Sequence, residues 1–202
     1  MISDTYKTIE APSDEILYKE KGSKFFGYTF PVESDLDVKQ HLDVLRKKHY
    51  GAGHFCYAYQ IGTEQITYRT NDDGEPANSA GMPIYGQIRS FGVTNVLVVV
   101  GRFFGGVKLG VGGLVAAYKL AAQMALDQSN IVEKIIQVRF RLTFDYSKMN
   151  IVMRLLKENN FQIINQKSDE LCELTVSARK NESFNFGEIF TAHNGIMIVQ
   201  ID

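Results

Sequence analysis

The stretch "GRFFGGVKLGVGGLVAAY", residues 101–118, joins an apolar run to a helical pattern through a turn rich in glycine. Residues 95–104, "NVLVVVGRFF", are apolar on both faces, which is typical of a central buried strand. From Gly112 onward, Leu114 and Tyr118 recur at helical spacing. The stretch therefore predicts a strand, a tight turn and a helix that packs back on a sheet.

The glycine-rich turn is a candidate anion site, because free backbone N–H groups and the positive end of a helix dipole would meet there. Walker A does not fit, because Val111 stands where it needs lysine, and Val115 stands where GxGxxG needs glycine. A tight turn whose glycines let the helix pack on the sheet is the alternative interpretation. The candidate binding residues are Arg102, Gly105, Gly106, Lys108, Gly110, Gly112 and Gly113.

A second candidate is "NDDGEPANSAGMP", residues 71–83, in which Asp72, Asp73 and Glu75 place carboxylates close together. Carboxylate oxygens at this spacing could hold Mg²⁺. The same residue types are typical of a polar turn followed by a helix cap, and a third interpretation is a surface that faces an anion or a substrate. No cofactor is predicted, and Mg²⁺ is kept as the alternative.

His54 opens an alternating run, with Cys56 two positions later on the same face. Their Cβ atoms would lie about 7 Å apart, which is too far for a direct Cys–His nucleophile pair. We therefore predict a structural or hydrogen-bonding role for His54, and no catalytic residue is identified. His41 and His49, on the polar side of a predicted helix, are expected to face solvent.

The remaining patterns predict an α+β protein with two domains, 1–135 and 136–202. The first would add strands at 23–32 and 54–61 and helices at 35–50 and 79–91. The second would contain a strand at 137–145, a helix at 147–160 capped by Ser147, two strands, a short helix and a last strand. That βαββαβ order is the ferredoxin-like arrangement.

Composition and charge limit the classes of function. The chain has 202 residues, a formal net charge of −1, 45% hydrophobic and 22% charged residues. It therefore lacks the basic excess of proteins that counterion release holds on nucleic acid. Cys56 and Cys172 have no metal-site spacing, which favours buried thiols in a reducing compartment. The polar amino terminus lacks a signal-peptide core and no apolar run could cross a membrane, so we expect a soluble cytoplasmic chain.

Four motifs in this order, "SKFFGY", "HFCYAYQIG", "DDGEP…AGMPI" and "RFFGGVKLGVGGL…AY", resemble the YigZ/IMPACT family in its bacterial two-domain type. The resemblance implies an amino-terminal domain like the second domains of a small-subunit ribosomal protein and of RNase PH. It also implies a ferredoxin-like carboxy-terminal domain similar to the last domain of elongation factor G. Eukaryotic members are translational regulators that bind a partner protein, and no reaction is implied for bacterial members.

The chain departs from the family pattern in two places. The family commonly has S-G-T-A-G after DDGEP, where this chain has residues 77–81, "ANSAG". It also commonly has arginine where this chain has Ala116, which removes a cation from the candidate groove.

The sequence thus leads to one main hypothesis and two alternatives. The main hypothesis is a non-enzymatic cytoplasmic regulator, linked to translation, that binds RNA, the ribosome or a translation-associated protein. One alternative is a Mg²⁺-dependent enzyme that handles phosphate or nucleotide, and the other is a purely structural role for both motifs. The first two would use a surface that combines the glycine-loop residues with His54, Asp72, Asp73 and Glu75.

Overall fold

The computed structural model describes residues 4–201. Residues 1–3, which begin the segment predicted to lack a signal peptide, and residue 202 lie outside the described residues. The chain divides into two compact units, one of Tyr6–Lys134 and one of residues 135 onward with Asp4 and Thr5. Within residues 4–201, no helix is long and apolar enough to cross a membrane.

The first unit contains a five-stranded antiparallel sheet in the order β2-β3-β6-β4-β5. A separate two-stranded sheet pairs β1 with β7. The elements are β1 (Thr5–Ile9), β2 (Ile16–Glu20), β3 (Ser23–Pro31), α1 (Asp35–Lys48), β4 (His54–Ile61), β5 (Thr67–Asn71), α2 (Gly81–Phe91), β6 (Val96–Phe103), α3 (Gly110–Asp127) and β7 (Ile131–Ile135).

The central strand β6 is buried on both faces, which confirms the prediction from its two-sided apolar pattern. Val98 and Val100 face a core that contains residues of α2 and α3. Leu97 and Val99 face a second core that contains residues of α1. The sheet therefore lies between helices on both sides. Arg102 lies near the end of β6, at the end of the sheet where the candidate motifs meet.

The predicted exposure of His41 and His49 is wrong. The His41 ring stacks on Phe30 with 4.2 Å between ring centroids, and the His49 ring lies 4.6 Å from that of Phe26. The His49 side chain is only 10% exposed, and burial lowers the pKa of both imidazoles below the ordinary value. Aromatic residues of β3 supply these contacts, which the helical period of α1 does not reveal.

The second unit contains a four-stranded antiparallel sheet in the order β11-β8-β10-β9. Three of the four strands and both helices contribute to one apolar core, whereas the residues of the strand Gln162–Ser168 are all exposed. In chain order the elements follow βαββαβ and are β8 (Gln137–Phe144), α4 (Met149–Glu158), β9 (Gln162–Ser168), β10 (Cys172–Arg179), α5 (Ser183–Thr191) and β11 (Ile196–Gln200).

Two local predictions are corrected. Ser147 does not cap α4, because a 3₁₀ turn at Tyr146–Lys148 comes first and the side chain of Asp145 accepts a hydrogen bond from Ser147 N. The polar edge strand β5 is missing from the prediction, because its sequence "TYRTN" has no apolar alternation and its pairing with β4 defines it.

Candidate functional site

Arg102, near the end of β6, is buried. In the sheet it lies opposite Phe25 of β3 and His54 of β4, and its side chain is only 7% exposed. Nη1 donates to Glu75 Oε1 at 2.7 Å, and Nη2 donates to Ser23 Oγ at 3.3 Å. Within residues 4–201, the buried Nε has no hydrogen-bond partner. Pairing with Glu75 therefore compensates the buried guanidinium charge, because an unpaired buried charge is costly.

Glu75 connects the acidic turn (72–76) to the sheet and to α3. Its side chain is 4% exposed, and the Tyr118 hydroxyl donates to Oε1 at 2.8 Å. His54 Nε2 lies 3.9 Å from the same oxygen. Burial, with neighbouring Cys56 and Glu75, raises the pKa of Tyr118 far above its ordinary range, so this hydroxyl stays a donor. Three elements distant in sequence thus converge on one carboxylate.

Asp72 caps α2 from outside the helix. Oδ1 accepts from Ala80 N at 2.9 Å and Gly81 N at 2.8 Å, and Oδ2 accepts from Asn78 N at 2.9 Å. The N-cap residue Ala80 has no side-chain acceptor of its own. Because the first N–H groups of a helix lack partners within the helix, Asp72 satisfies two of them, those of Ala80 and Gly81, and places negative charge at the positive end of the dipole.

Asp73 holds the turn against β4. Its Oδ2 accepts from Phe55 N at 2.6 Å, and its Oδ1 lies 3.8 Å from Arg46 Nη2. The backbone φ of Asp73 is +43°, in the left-handed region that aspartate tolerates better than most residues. His54 Nδ1 lies 2.7 Å from the Asp73 carbonyl, and since a carbonyl can only accept, this nitrogen donates. The predicted hydrogen-bonding role of His54 therefore has a defined partner.

Cys56 and His54 bond to the acidic turn rather than to each other. The Cys56 thiol donates to the Asp72 carbonyl at 3.0 Å, and burial raises the pKa of this thiol well above its ordinary value. Within residues 4–201, no group of three or more His, Cys, Asp and Glu side chains is placed to hold a metal ion. The carboxylates of Asp72 and Glu75 are already engaged by backbone amides, arginine and tyrosine, so an Mg²⁺ would have to displace internal bonds.

Glycine occupies different positions of the glycine loop (104–113) for different structural reasons. A Cβ on Gly105 would overlap the backbone of Gly22, so Gly105 permits two chain segments to approach closely. Gly106 and Gly110 have φ values of +87° and +71°, which favour glycine. Gly112 has an ordinary φ and open space around it.

The amino terminus of α3 is open at the surface. Its N-cap residue, Leu109, makes no side-chain cap bond, and the first turn contains no acidic residue. Lys108 next to it is exposed. Uncapped N–H groups and the helix dipole give this end of α3 positive character. Lys108 and the glycines predicted to bind an anion lie around this helix end.

A pocket of about 360 Å³ borders this helix end. Arg102 and Glu75 contribute charged groups that neutralise each other. Phe104 and Val111 are 59% and 58% exposed, although both are large apolar side chains. The lining residues are Glu75, Pro76, Arg102, Phe104, Lys108, Leu109, Gly110, Val111 and Leu114.

The structure brings the sequence-predicted residues together in two layers. The inner layer consists of Asp72, Asp73, Glu75, His54 and Arg102, which bond to one another or to the backbone. The outer layer consists of Lys108 and the glycine loop, around the pocket. Sequence reasoning missed the roles of Ser23, Phe104 and Tyr118. Tyr118 has helical core spacing, and its hydroxyl was the available signal, because a buried tyrosine hydroxyl requires a hydrogen-bond partner.

Comparisons with known proteins agree with the motifs. The family profile described as "Impact N-terminal domain" matches residues 21–126. "IMPACT family member YvyE" of Bacillus subtilis (strain 168) is 28% identical over 187 residues, 93% of this chain and 86% of the relative. "IMPACT family member YigZ" of Escherichia coli (strain K12) is 31% identical over 161 residues, 78% of each chain.

One solved structure, described as the crystal structure of a hypothetical protein, has a TM-score of 0.75 to this chain. It is 26% identical, and the match covers 100% of this chain and 99% of the other. The resemblance inferred from the four motifs is confirmed by the family profile and by relatives aligned over most of the chain. The chain belongs to the IMPACT family.

Proposed function

We propose that this protein is a non-enzymatic regulator, linked to translation, that binds a protein partner through the loop–turn surface. This surface consists of the acidic turn (72–76), Arg102 and residues 104–114. One observation carries the proposal: an apolar pocket and exposed Phe104 and Val111 lie beside an open helix end, above charged groups that are paired inside the protein.

Binding fits this surface better than catalysis. A general acid, base or nucleophile must reach a substrate with a free proton or electron pair. Here Glu75 and Asp72 accept bonds from arginine, tyrosine and backbone amides, and Cys56 is fully buried with a raised pKa. The polar groups therefore fix the shape of the surface, and the apolar groups remain for contact with a partner.

A protein partner fits better than RNA. Arg102 is neutralised by Glu75, which leaves Lys108 as the exposed cation of the pocket lining. RNA-binding surfaces need several free cations, whereas the centres of protein interfaces are depleted in charge and enriched in aromatic and apolar side chains. Phe104 has the exposure expected of an interface anchor.

The link to translation comes from the family. The resemblance implies that eukaryotic members regulate translation by binding a partner protein, and we extend that mode of action to this chain in the cytoplasm. We also infer the ferredoxin-like fold for the second unit, supported by its βαββαβ order and its strand order. The kinship of the first unit with ribosomal-protein and RNase PH domains remains an expectation from the resemblance.

Sedimentation of cell lysates through sucrose gradients tests the proposal. We expect the full chain to sediment with ribosomal fractions, and Phe104→Ala to reduce its amount there at least about tenfold, as truncation of an interface anchor does. Phe184→Ala is the matched control, because Phe184 is a 74% exposed phenylalanine of the second unit.

Two results would contradict the proposal. If the chain stays at the top of the gradient, the link to translation is wrong. If ribonuclease treatment of isolated chain-containing complexes releases the chain while ribosomal proteins stay assembled, RNA is the partner instead of protein.

A further inference from the structure

The pocket beside α3 has room for one side chain of a partner. Its volume of about 360 Å³ is near the lower end of the range for ligand pockets, roughly 300–1,000 Å³. Apolar side chains form most of its wall, and these are Pro76, Phe104, Leu109, Val111 and Leu114. An apolar side chain that enters the pocket would remove exposed surface of Phe104 and Val111 from water, which favours binding.

The rim of the same pocket favours negative charge. The 18-residue helix α3 begins there without a side-chain cap and without an acidic residue in its first turn. Lys108 lies at the rim, and the Arg102–Glu75 pair adds no net charge. The helix end and the lysine therefore give the rim a positive potential.

Arg102 provides a second, independent observation. It lines the pocket, its side chain is 93% buried, and its Nε has no hydrogen-bond partner within residues 4–201. Native proteins pair nearly all buried polar groups, so this guanidinium N–H, which is itself buried behind the pocket wall, is a donor that no acceptor compensates. A negatively charged group in the pocket would be attracted by this donor without bonding to it directly.

We propose that the pocket binds a segment of the partner in which a large apolar side chain stands beside a carboxylate. The side chain enters the pocket, and the carboxylate lies at the amino terminus of α3 beside Lys108. The proposal rests on the proposed function, because it specifies what the loop–turn surface recognises. A phosphate group fits less well, because a doubly charged group would meet a single free cation among apolar walls.

Four small probes test separately whether binding requires the apolar side chain and whether it requires the carboxylate. N-acetyl-leucine has an apolar side chain and a terminal carboxylate, and N-acetyl-aspartyl-leucinamide has a side-chain carboxylate instead. N-acetyl-leucinamide has no carboxylate, and N-acetylglycine has no apolar side chain. Titration of the ¹⁵N-labelled full chain, followed through the amide signals of the glycine loop, measures each Kd. The reporters are Gly105, Gly106, Gly110, Gly112 and Gly113.

We expect at least one of the two carboxylate-leucine probes to bind with a Kd of about 1–5 mM, as its size allows. Both single-feature probes should bind at least about tenfold more weakly. The tighter of the two carboxylate probes tells whether a chain terminus or an acidic side chain is recognised. Equal binding of N-acetyl-leucinamide, or a Kd above about 10 mM for both carboxylate probes, would overturn the proposal.

Variants at Val111 test whether the carboxylate of the probe binds at the amino terminus of α3. Val111→Asp puts a fixed negative charge in the first turn of α3, where it stabilises the helix and should weaken the carboxylate probe at least about tenfold. Val111→Asn removes the same apolar surface without adding a charge, so the Kd of the carboxylate probe should be at least about tenfold higher with Val111→Asp than with Val111→Asn. Lys119→Gln makes the same change in net charge on an exposed residue of α3 and is the control. Equal effects of Val111→Asp and Lys119→Gln would contradict the placement.

The two proposals can fail separately. Selective probe binding without sedimentation in ribosomal fractions would keep the pocket chemistry and overturn the link to translation. Sedimentation that depends on Phe104, together with probes that do not bind selectively, would keep the proposed function and overturn the pocket chemistry.

Discussion

Arg102 and Glu75 form an ion pair with 2.7 Å between Nη1 and Oε1, and their side chains are 7% and 4% exposed. Removing two charges from water is costly, and this cost is offset because each partner compensates the charge of the other and Ser23 and Tyr118 add hydrogen bonds. This pair joins the acidic turn to the end of β6 beneath the pocket. The loop–turn surface therefore depends on it for its shape.

Replacing one partner should be strongly destabilising. Glu75→Gln leaves the buried Arg102 charge uncompensated, and we expect the free energy of unfolding to fall by about 3–5 kcal/mol. Urea unfolding followed by circular dichroism measures this change. Glu173→Gln is the control, because Glu173 pairs with Arg141 at 3.7 Å on the surface and should cost about 0–1 kcal/mol. Equal losses for the two variants would show that the buried pair does not stabilise the fold.

Asp72 should act through its three backbone hydrogen bonds to the region before α2. Asp72→Ala removes all three acceptors and should lower the free energy of unfolding by about 2 kcal/mol. Asp72→Asn keeps one carbonyl oxygen as an acceptor, so its loss should be clearly smaller in the same urea experiment. If Asp72→Asn costs as much as Asp72→Ala, the charge rather than the cap is what matters.

Two glycines of one loop should respond to alanine with opposite signs. Gly105→Ala places a methyl group into the backbone of Gly22 and should destabilise the protein by about 3 kcal/mol or more. Gly112→Ala meets no atom within 4 Å in a helix with ordinary φ, and should stabilise by about 0.5–1 kcal/mol. Thermal unfolding of the two variants beside the unmodified protein checks both signs, and a stabilising Gly105→Ala would disprove the close approach.

His49 should make stability depend on pH. Burial lowers its pKa below the ordinary 6.5, although neighbouring Glu15 acts in the opposite direction. Between the folded and ordinary pKa values the unfolded chain binds more protons, so the free energy of unfolding falls as pH drops below 6.5. His41 shifts the same way.

The measurement compares urea unfolding at about pH 7.5 and pH 5.5, on either side of the histidine range. His49→Gln should reduce the loss of stability between the two pH values, and the double variant with His41→Gln should reduce it further. His193→Gln in the second unit is the control. An unchanged pH dependence in the double variant would mean that the imidazoles are not held neutral by burial.

Both cysteines should be inert to thiol reagents in the folded protein. Cys56 and Cys172 are 0% and 2% exposed, and burial raises the pKa of the Cys56 thiol, so little thiolate forms. A colorimetric disulfide reagent should label neither thiol in buffer and both in concentrated urea. Rapid labelling of Cys56 in buffer would restore it as a candidate nucleophile.

The sequence by itself determined the central elements of the first unit. Period-two alternation defined β4, two-sided apolarity defined β6, and helical spacing defined α3, because these signals depend only on neighbours along the chain. The same patterns gave the βαββαβ order of the second unit, and the four motifs identified the family. The polar strand β5 was not predicted from the sequence, because its pairing with β4 rather than its own residues specifies it.

The tertiary structure alone decided what the candidate residues do. Glu75 is 27 positions from Arg102 and 43 from Tyr118, and no local pattern shows that all three meet. The burial of His49 likewise depends on aromatic residues of β3. Burial and hydrogen-bond partners arise from contacts between distant segments. The sequence therefore shows where the charged motifs lie along the chain, and only the fold shows that the acidic turn bonds inward while the glycine loop is exposed.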